Sequence, residues 1–303
     1  RSSLLAKLLV EQGSSDVAAR KAIERGKARG NIRQLSLYLP HNERILYYRD
    51  IELPHHARKL LKILDDCNSS YGFALRSLDG HLGAIRDELF DVFSGSPVRM
   101  KGRISSSRVR HNLLRDKLLV ETEMVGEHDY YLTLAWRADQ VNWRRIRSLQ
   151  LVEEIVLKFL SDWLRSLAVT SYQGTHLRGS HCPSFGNFAW DLVSPSYLYP
   201  IVKSASKGAH LPGFVVADVF MGGELDREID YFICKTSALR ANPKHSFLAI
   251  LLGDAFSSYA YKSARKHGVM LATPEKLFGR DVADSLNSLI QLLDNTLERD
   301  PET

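Results

Sequence analysis

The stretch Phe214-Val215-Val216-Ala217-Asp218-Val219-Phe220 decides the fold of this chain, because it is an apolar run that carries a single carboxylate. A second run, Phe188-Ala189-Trp190-Asp191-Leu192-Val193, has the same character. Near-continuous apolar runs are typical of strands that are covered on both faces of a sheet. An unpaired carboxylate is costly to bury in such a strand. We therefore expect Asp191 and Asp218 to lie together at strand tips and to bind a divalent cation.

The elements around these runs predict an α/β domain with a central mixed sheet over residues 149–298. Apolar residues recur at helical spacing from Leu149 to Leu167, and a polar loop at 174–184 and a Pro-containing loop with Pro195 and Pro200 interrupt the domain. Further strands are predicted at Val169–Tyr172, Asn187–Val193, Phe247–Leu252 and Val269–Thr273, and further helices at 225–241, Ala255–His267 and Val282–Leu297.

The first half of the chain predicts two smaller α+β modules of the winged-helix plan, residues 1–52 and 54–136, followed by a basic connector at 137–148. The first module has two helical patterns, then the strand patterns Leu35–Leu39 and Ile45–Tyr48. The second has helical patterns that include Ile85 and a short helix capped by Ser105–Ser107. It ends in a hairpin around Gly126.

Both modules carry clusters of cations that predict contact with duplex DNA, or else with RNA, since basic residues on and beside a short helix are typical of a groove-binding helix. The alternative interpretation is a solvated surface or an interface for an acidic protein. The candidate nucleic-acid-binding residues are Arg20, Lys21, Arg25, Lys27, Arg29, Arg33, Arg99, Lys101, Arg103, Arg108, Arg110, Arg115 and Lys117.

Composition sets the outer limits of these predictions. The chain has 303 residues, a net charge of +6 and three widely spaced cysteines. The modest positive charge favours a polyanionic partner, while the cysteine spacing argues against a structural zinc and favours a reducing cytoplasm. No apolar run has the length of a membrane span, and residues 1–7 lack the apolar core of a signal peptide.

The C-terminal pattern resembles the PD-(D/E)XK, or restriction-endonuclease-like, nuclease superfamily, in the branch that includes archaeal Holliday-junction resolvases. The resemblance covers residues 149–280 and extends to the segments Phe247–Gly253 and Gly268–Gly279. It implies that Glu153, or else Glu154, is an acidic residue on the first helix. It further implies that Asp191 and Asp218 are the motif acids and that Mg²⁺ or Mn²⁺ is the cofactor.

One position departs from that motif. The lysine expected two residues after Asp218 is Phe220, and Lys235 on the following helix is the candidate that supplies the charge from another element. The motif can also be placed differently. In this alternative frame, Ile229–Cys234 is a strand, Asp230 is the first acid and Lys235 is the motif lysine. Ile233 then stands where the motif needs its second acid.

These features together predict a DNA-binding, metal-dependent nuclease with Asp191, Asp218, Lys235 and Glu153 as catalytic residues. A role in phage defence or DNA repair follows only by analogy of architecture. The alternative is a catalytically degenerate DNA-binding regulator, or a subunit of a larger defence complex beside an ATPase. Cleavage of both DNA strands would favour a homodimer.

Overall fold

A computed structural model of the chain describes residues 1–123, 130–179, 181–199, 201–204 and 210–296. The helices are α1 (Ser2–Glu11), α2 (Asp16–Ala28), α3 (Ala57–Asp66), α4 (Ser70–Gly80), α5 (Phe90–Phe93), α6 (Ser106–Arg115), α7 (Trp143–Ser166), α8 (Asp230–Arg240), α9 (Ser258–Lys266), α10 (Pro274–Phe278) and α11 (Arg280–Thr296). The strands are β1 (Ile32–Gln34), β2 (Leu46–Tyr48), β3 (Ala84–Arg86), β4 (Leu119–Glu123), β5 (Tyr130–Leu134), β6 (His176–Leu177), β7 (Ser184–Phe185), β8 (Phe188–Ala189), β9 (Leu192–Ser196), β10 (Lys203–Ser204), β11 (His210–Leu211), β12 (Gly213–Leu225), β13 (Phe247–Phe256) and β14 (Met270–Ala272). None of the described helices has the length and apolarity needed to cross a bilayer.

A five-stranded mixed sheet in the order β14-β13-β12-β9-β6 organises the C-terminal part and confirms the predicted mixed sheet. Strands β6, β9 and β12 pair antiparallel. Strand β13 runs parallel to both β12 and β14. The helices α8 and α9 lie in the crossovers between the parallel strands, as parallel connections require.

The two faces of β12 pack against different parts of the chain, because successive side chains of a strand point to opposite faces. Val215, Ala217 and Val219 join a core with the apolar stripe of α7 and with α11. Val216 and Phe220 join the other core, which includes residues of α4, α5 and α8. Asp218 therefore points to the face that the first half of the chain covers.

The core on the Val216 and Phe220 side of β12 includes residues from both sides of the predicted connector at residues 137–148. It contains Leu37 and Phe93 from the first half of the chain and Trp190, Phe220 and Phe232 from the second. In the first half, a three-stranded sheet of order β3-β5-β4 packs with α4 and α6. The N-terminal and C-terminal parts thus share one apolar interior.

Several predicted elements are wrong in the first half of the chain. Leu35–Leu39 is not a strand: β1 ends at Gln34, and the three leucines of the segment are buried in the shared core. Ile85 lies in strand β3 and not in a helix. The predicted connector is helical from Trp143 onward. The hairpin turn around Gly126 lies outside the described residues.

Three more predictions are wrong in the C-terminal part. Val169–Tyr172 forms no strand, and the strand of this region is β6 within the predicted polar loop. Pro195 lies inside β9, where it pairs with Phe214 across the sheet. Asn187–Val193 is not one strand, because β8 ends at Ala189 and β9 begins at Leu192.

We expect Phe220→Ala to destabilise the fold strongly. The fully buried Phe220 ring lies 3.8 Å from the His81 ring and 5.6 Å from the Phe93 ring between centroids. Removing a buried Phe costs about 3–5 kcal/mol, measurable by urea unfolding. Tyr199→Ala, at an 88% exposed position, is the control and should change the free energy of unfolding by under about 0.5 kcal/mol. Similar losses in the two variants would contradict this packing.

Candidate functional site

The four residues that the sequence predicts to be catalytic lie together in one buried cluster. Glu153 comes from α7, Asp191 directly precedes β9, and Lys235 comes from α8. Asp218 lies in the middle of β12, so the expectation that it lies at a strand tip is wrong. The antiparallel register that pairs Ala217 with Leu192 places Asp191 next to Asp218. The backbone N–H of Asp191 donates to the Ala217 carbonyl and to Asp218 Oδ1, both over 3.1 Å.

Lys235 forms a direct ion pair with Asp218. Its Nζ donates to Asp218 Oδ2 over 2.7 Å and to the backbone carbonyl of Val92 over 3.1 Å. The ammonium also lies 3.9 Å from the centroid of a Trp190 ring, within the range of a cation–π contact. Both charged side chains are completely buried. The alternative frame with Asp230 is wrong, because residues 227–240 are helical.

Arg178 joins the other two carboxylates and was not among the residues predicted from the sequence. One terminal nitrogen donates to Glu153 Oε2 over 2.8 Å, and the other to Asp191 Oδ1 over 3.3 Å. Its side chain is 2% exposed. The sequence signal that could have identified Arg178 is that it is the lone arginine in the segment 174–184. A planar guanidinium suits such a bridge because its donors form a rigid fork.

Backbone N–H groups satisfy the remaining carboxylate oxygens. Val219 N–H donates to Asp191 Oδ2 over 2.8 Å, and Met221 N–H donates to Glu153 Oε1 over 2.9 Å. Together with the side-chain partners, these bonds engage both oxygens of each of the three acids. A buried carboxylate needs such partners, because burying an unpaired charge costs far more free energy than burying a neutral polar group without a hydrogen bond.

His81 and Phe220 close the cluster on the side of α4. His81 lies directly after α4, its Nδ1 lies 2.7 Å from the Ser77 carbonyl, and its Nε2 lies 3.6 Å from Glu153 Oε1. Its ring packs on Phe220. The residue at the position expected for the motif lysine thus forms an aromatic contact.

Burial dominates the electrostatics of the cluster. It raises the pKa of Asp191 against the effect of Arg178, and it raises the pKa of Asp218 against the effect of Lys235. Burial also lowers the pKa of Lys235 against the pull of Asp218. For Glu153, burial is again the largest influence. Arg178, His81 and the Met221 N–H together outweigh burial, so the pKa of Glu153 lies below its ordinary value.

A divalent metal does not fit the cluster in this arrangement. Mg²⁺ takes oxygen ligands in near-octahedral geometry and usually keeps several waters. The carboxylate oxygens here already accept hydrogen bonds, and the four predicted residues are at most 1% exposed. Within the described ranges, no group of three or more His, Cys, Asp or Glu side chains has the arrangement of a metal site. Glu154 does not join the cluster, because it pairs with Arg86 at 2.6 Å.

The predicted nucleic-acid-binding residues of the second module surround α6. Ser105 caps this helix by accepting from the Arg108 N–H over 3.3 Å. The inner side of α6 buries Ser106, Val109, Asn112 and Leu113. The outward residues with exposed side chains are Ser107, Arg108, His111 and Arg115, and the exposed cations beside the helix are Arg99, Lys101, Arg103 and Lys117.

Arg110 differs from its neighbours because carboxylates hold it. It pairs with Asp87 and with Glu121, each at 2.8 Å. We infer that Arg110 fixes α6 to the sheet and is less available to a polyanion. Arg108 lies with its guanidinium carbon 5.2 Å from the Tyr38 ring centroid, which still leaves its side chain at the surface.

The cations predicted in the first module lie on and after α2. Arg20 pairs with Asp16 at 3.0 Å and Lys27 with Glu24 at 2.9 Å. Such surface pairs contribute little to stability. Lys21, Arg25, Arg29 and Arg33 are exposed. These residues form a second group of cations on α2 and just after it, and α2 buries only Ala19 and Ile23.

No protein-family model matches the sequence, and no curated protein matches it. Among solved structures, the chain is similar to one described as an EndoMS–dsDNA2 complex, with 13% sequence identity and a TM-score of 0.26. The alignment covers 48% of this chain and 51% of that one. The chain therefore spans about half the length of that structure, and the likeness is too slight to assign a family.

We expect Lys235→Met to destabilise the protein by about 3–5 kcal/mol, because it leaves Asp218 as a buried unpaired charge. The double variant Asp218→Leu/Lys235→Met should lose less than the sum of the two single variants, since an apolar pair of similar volume replaces a buried ion pair at low cost. Urea unfolding of the four proteins gives the coupling free energy. Lys262→Met, at an exposed position of α9, is the control. A loss as small as that of the control would refute the ion pair.

Proposed function

We propose that the protein binds duplex DNA through the outward face of α6, and that it acts as a DNA-binding regulator or adaptor without cleaving the DNA. The observation that carries this proposal is the exposed stripe Arg108, His111 and Arg115 on a helix whose opposite side is fixed in the core. Because the buried side of α6 holds the helix in place, its exposed cations can contact phosphates without a large loss of backbone freedom.

The topology around α6 supports a winged-helix interpretation of the second module. The order along the chain is α4, β3, α5, α6, β4 and β5, and the strand β5 pairs between β3 and β4. In helix-turn-helix proteins, the recognition helix lies in the major groove. In a winged-helix module, the helix that precedes the β4–β5 hairpin takes this role. This helix is α6.

The distribution of charge favours the helix over the hairpin as the contact surface. Glu121 and Glu123 are exposed on β4, and like charges would repel a phosphate backbone. The basic residues Arg99, Lys101 and Arg103 precede α6 and extend its positive surface. We infer that DNA lies against α6 and this preceding segment.

Duplex DNA is the favoured nucleic acid for a helix of this kind. The major groove of B-form DNA is about 12 Å wide and admits an α-helix. The deep, narrow major groove of an RNA duplex does not. The ten-residue helix α6 presents its cations along one side, which suits insertion into a B-form groove.

Metal-dependent phosphodiester hydrolysis is the second candidate. The observation that favours it is the meeting of Glu153, Asp191, Asp218 and Lys235 from four separate elements. The cluster is closed and its carboxylates are engaged by protein donors, so we rank binding without cleavage first.

We expect Arg108→Ala/Arg115→Ala to weaken duplex binding by about tenfold or more, because two phosphate contacts are lost. Fluorescence anisotropy with a labelled duplex over a salt series is the measurement. Each lost contact should reduce the slope of log affinity against log salt by about 1.

The matched control for this experiment is Arg265→Ala/Lys266→Ala, which removes two exposed cations from α9. It should retain wild-type affinity and salt slope. Equal losses in the two double variants would mean that binding is a diffuse effect of net charge and that α6 is not the interface.

Supercoiled plasmid should remain intact when the protein is added with Mg²⁺, Mn²⁺ or EDTA, while the same samples shift in a gel because DNA is bound. Gel electrophoresis after denaturation of the protein reads the plasmid form directly. Nicking that needs metal and is lost in both Asp191→Asn and Asp218→Asn would replace this proposal with the second candidate.

A further inference from the structure

We propose that Arg178 and Lys235 are internal counter-ions that take the place of a divalent cation between Glu153, Asp191 and Asp218. The cluster is then a metal-independent electrostatic bond between the sheet and the first half of the chain. This inference concerns the buried cluster alone, so it stands or falls independently of DNA binding by α6.

The charges of the cluster show why counter-ions are needed. Three carboxylates lie within one hydrogen-bonded group, and Arg178 and Lys235 bring two fixed positive charges into contact with all three. Like charges this close repel strongly in a low-dielectric interior. Cations between the acids offset this repulsion, and the chain itself supplies two of them.

The positions of the two cations match that task. The guanidinium of Arg178 donates to Glu153 through one nitrogen and to Asp191 through the other, so it occupies the space that separates these acids. The ammonium of Lys235 neutralises Asp218. Since an arginine keeps its proton at any pH at which the protein is folded, its charge is as permanent as that of a bound metal.

The cluster also connects the two halves of the molecule. Lys235 donates to the Val92 carbonyl of α5, and His81 faces Glu153 beside the Phe220 ring. Gly222, in β12, lies so close to Gly80 of α4 that an added Cβ would stand 2.9 Å from the Gly80 carbonyl oxygen. The helices α4 and α5 thus cover the acids at close range.

Of the five charged residues in the cluster, Arg178 alone lines a neighbouring solvent-facing cavity within the described ranges. This cavity has a volume of about 400 Å³, and its other lining residues include Arg86, Glu88 and Glu154. The Nε of Arg178 is buried and has no hydrogen-bond partner among the described residues. A cation entering from this cavity would have to displace the guanidinium before it reached Glu153 or Asp191.

The test compares wild type, Arg178→Gln and the control Arg165→Gln, whose arginine forms an exposed pair with Asp162 on the same helix α7. Thermal unfolding is recorded in EDTA, Mg²⁺ and Mn²⁺, and Mn²⁺ binding is measured by electron paramagnetic resonance. We expect the wild type to bind no stoichiometric Mn²⁺ and to unfold at the same temperature in all three buffers. In EDTA, Arg178→Gln should unfold at least about 5 °C below Arg165→Gln.

Stoichiometric Mn²⁺ binding by the wild type that Asp191→Asn abolishes would overturn the proposal, as would an Arg178→Gln protein as stable as the control. If Arg178→Gln fails to fold, Arg178→Lys keeps the charge without the bridging fork and should unfold below the control Arg165→Gln in EDTA. Wild-type stability in Arg178→Lys would also overturn the proposal. These readouts involve no DNA, so loss of duplex binding by α6 variants is scored separately.

Discussion

The structure depends on the neutralisation of three carboxylates beneath one sheet. Each buried charge costs several kcal/mol unless it is paired and hydrogen-bonded. Here Asp218 pairs with Lys235, while Asp191 and Glu153 share Arg178. These pairs can form only if α7, α8, β12 and the segment after β6 meet at one place. The charge requirement therefore fixes how the helices are arranged around the sheet.

The same requirement makes the two halves of the chain interdependent. Lys235 reaches the Val92 carbonyl in α5, so a group in the second half satisfies a backbone acceptor in the first. Around this contact, the aromatic rings of Phe93, Phe220 and Tyr231 pack edge to face or tilted. Apolar burial supplies the bulk of the stabilisation, and the buried ion pairs add contacts that depend on this arrangement of the elements.

The sequence predicted the mixed sheet and the meeting of Asp191 and Asp218, because apolar runs define strands. The places of Glu153 and Lys235 were implied by the resemblance to the nuclease superfamily. It did not predict Arg178, since that contact depends on the pairing of β6 with β9, a tertiary property. The error at Leu35–Leu39 has a related cause. Alternating leucines indicate an extended segment with one buried side, and here that side packs on the core without a partner strand.

Arginine serves two different purposes in this molecule, and its surroundings separate them. Arg178 is buried and donates hydrogen bonds to Glu153 and Asp191. Arg108 and Arg115 are exposed to solvent on α6. The helices that accompany α6 in its module, α4 and α5, are also those that cover the acids. Asp191 and Asp218 are completely buried, so a duplex held on α6 would not reach them. In this arrangement, the basic surface of α6 and the buried carboxylates do not face a common space, which is the physical reason for proposing binding without hydrolysis.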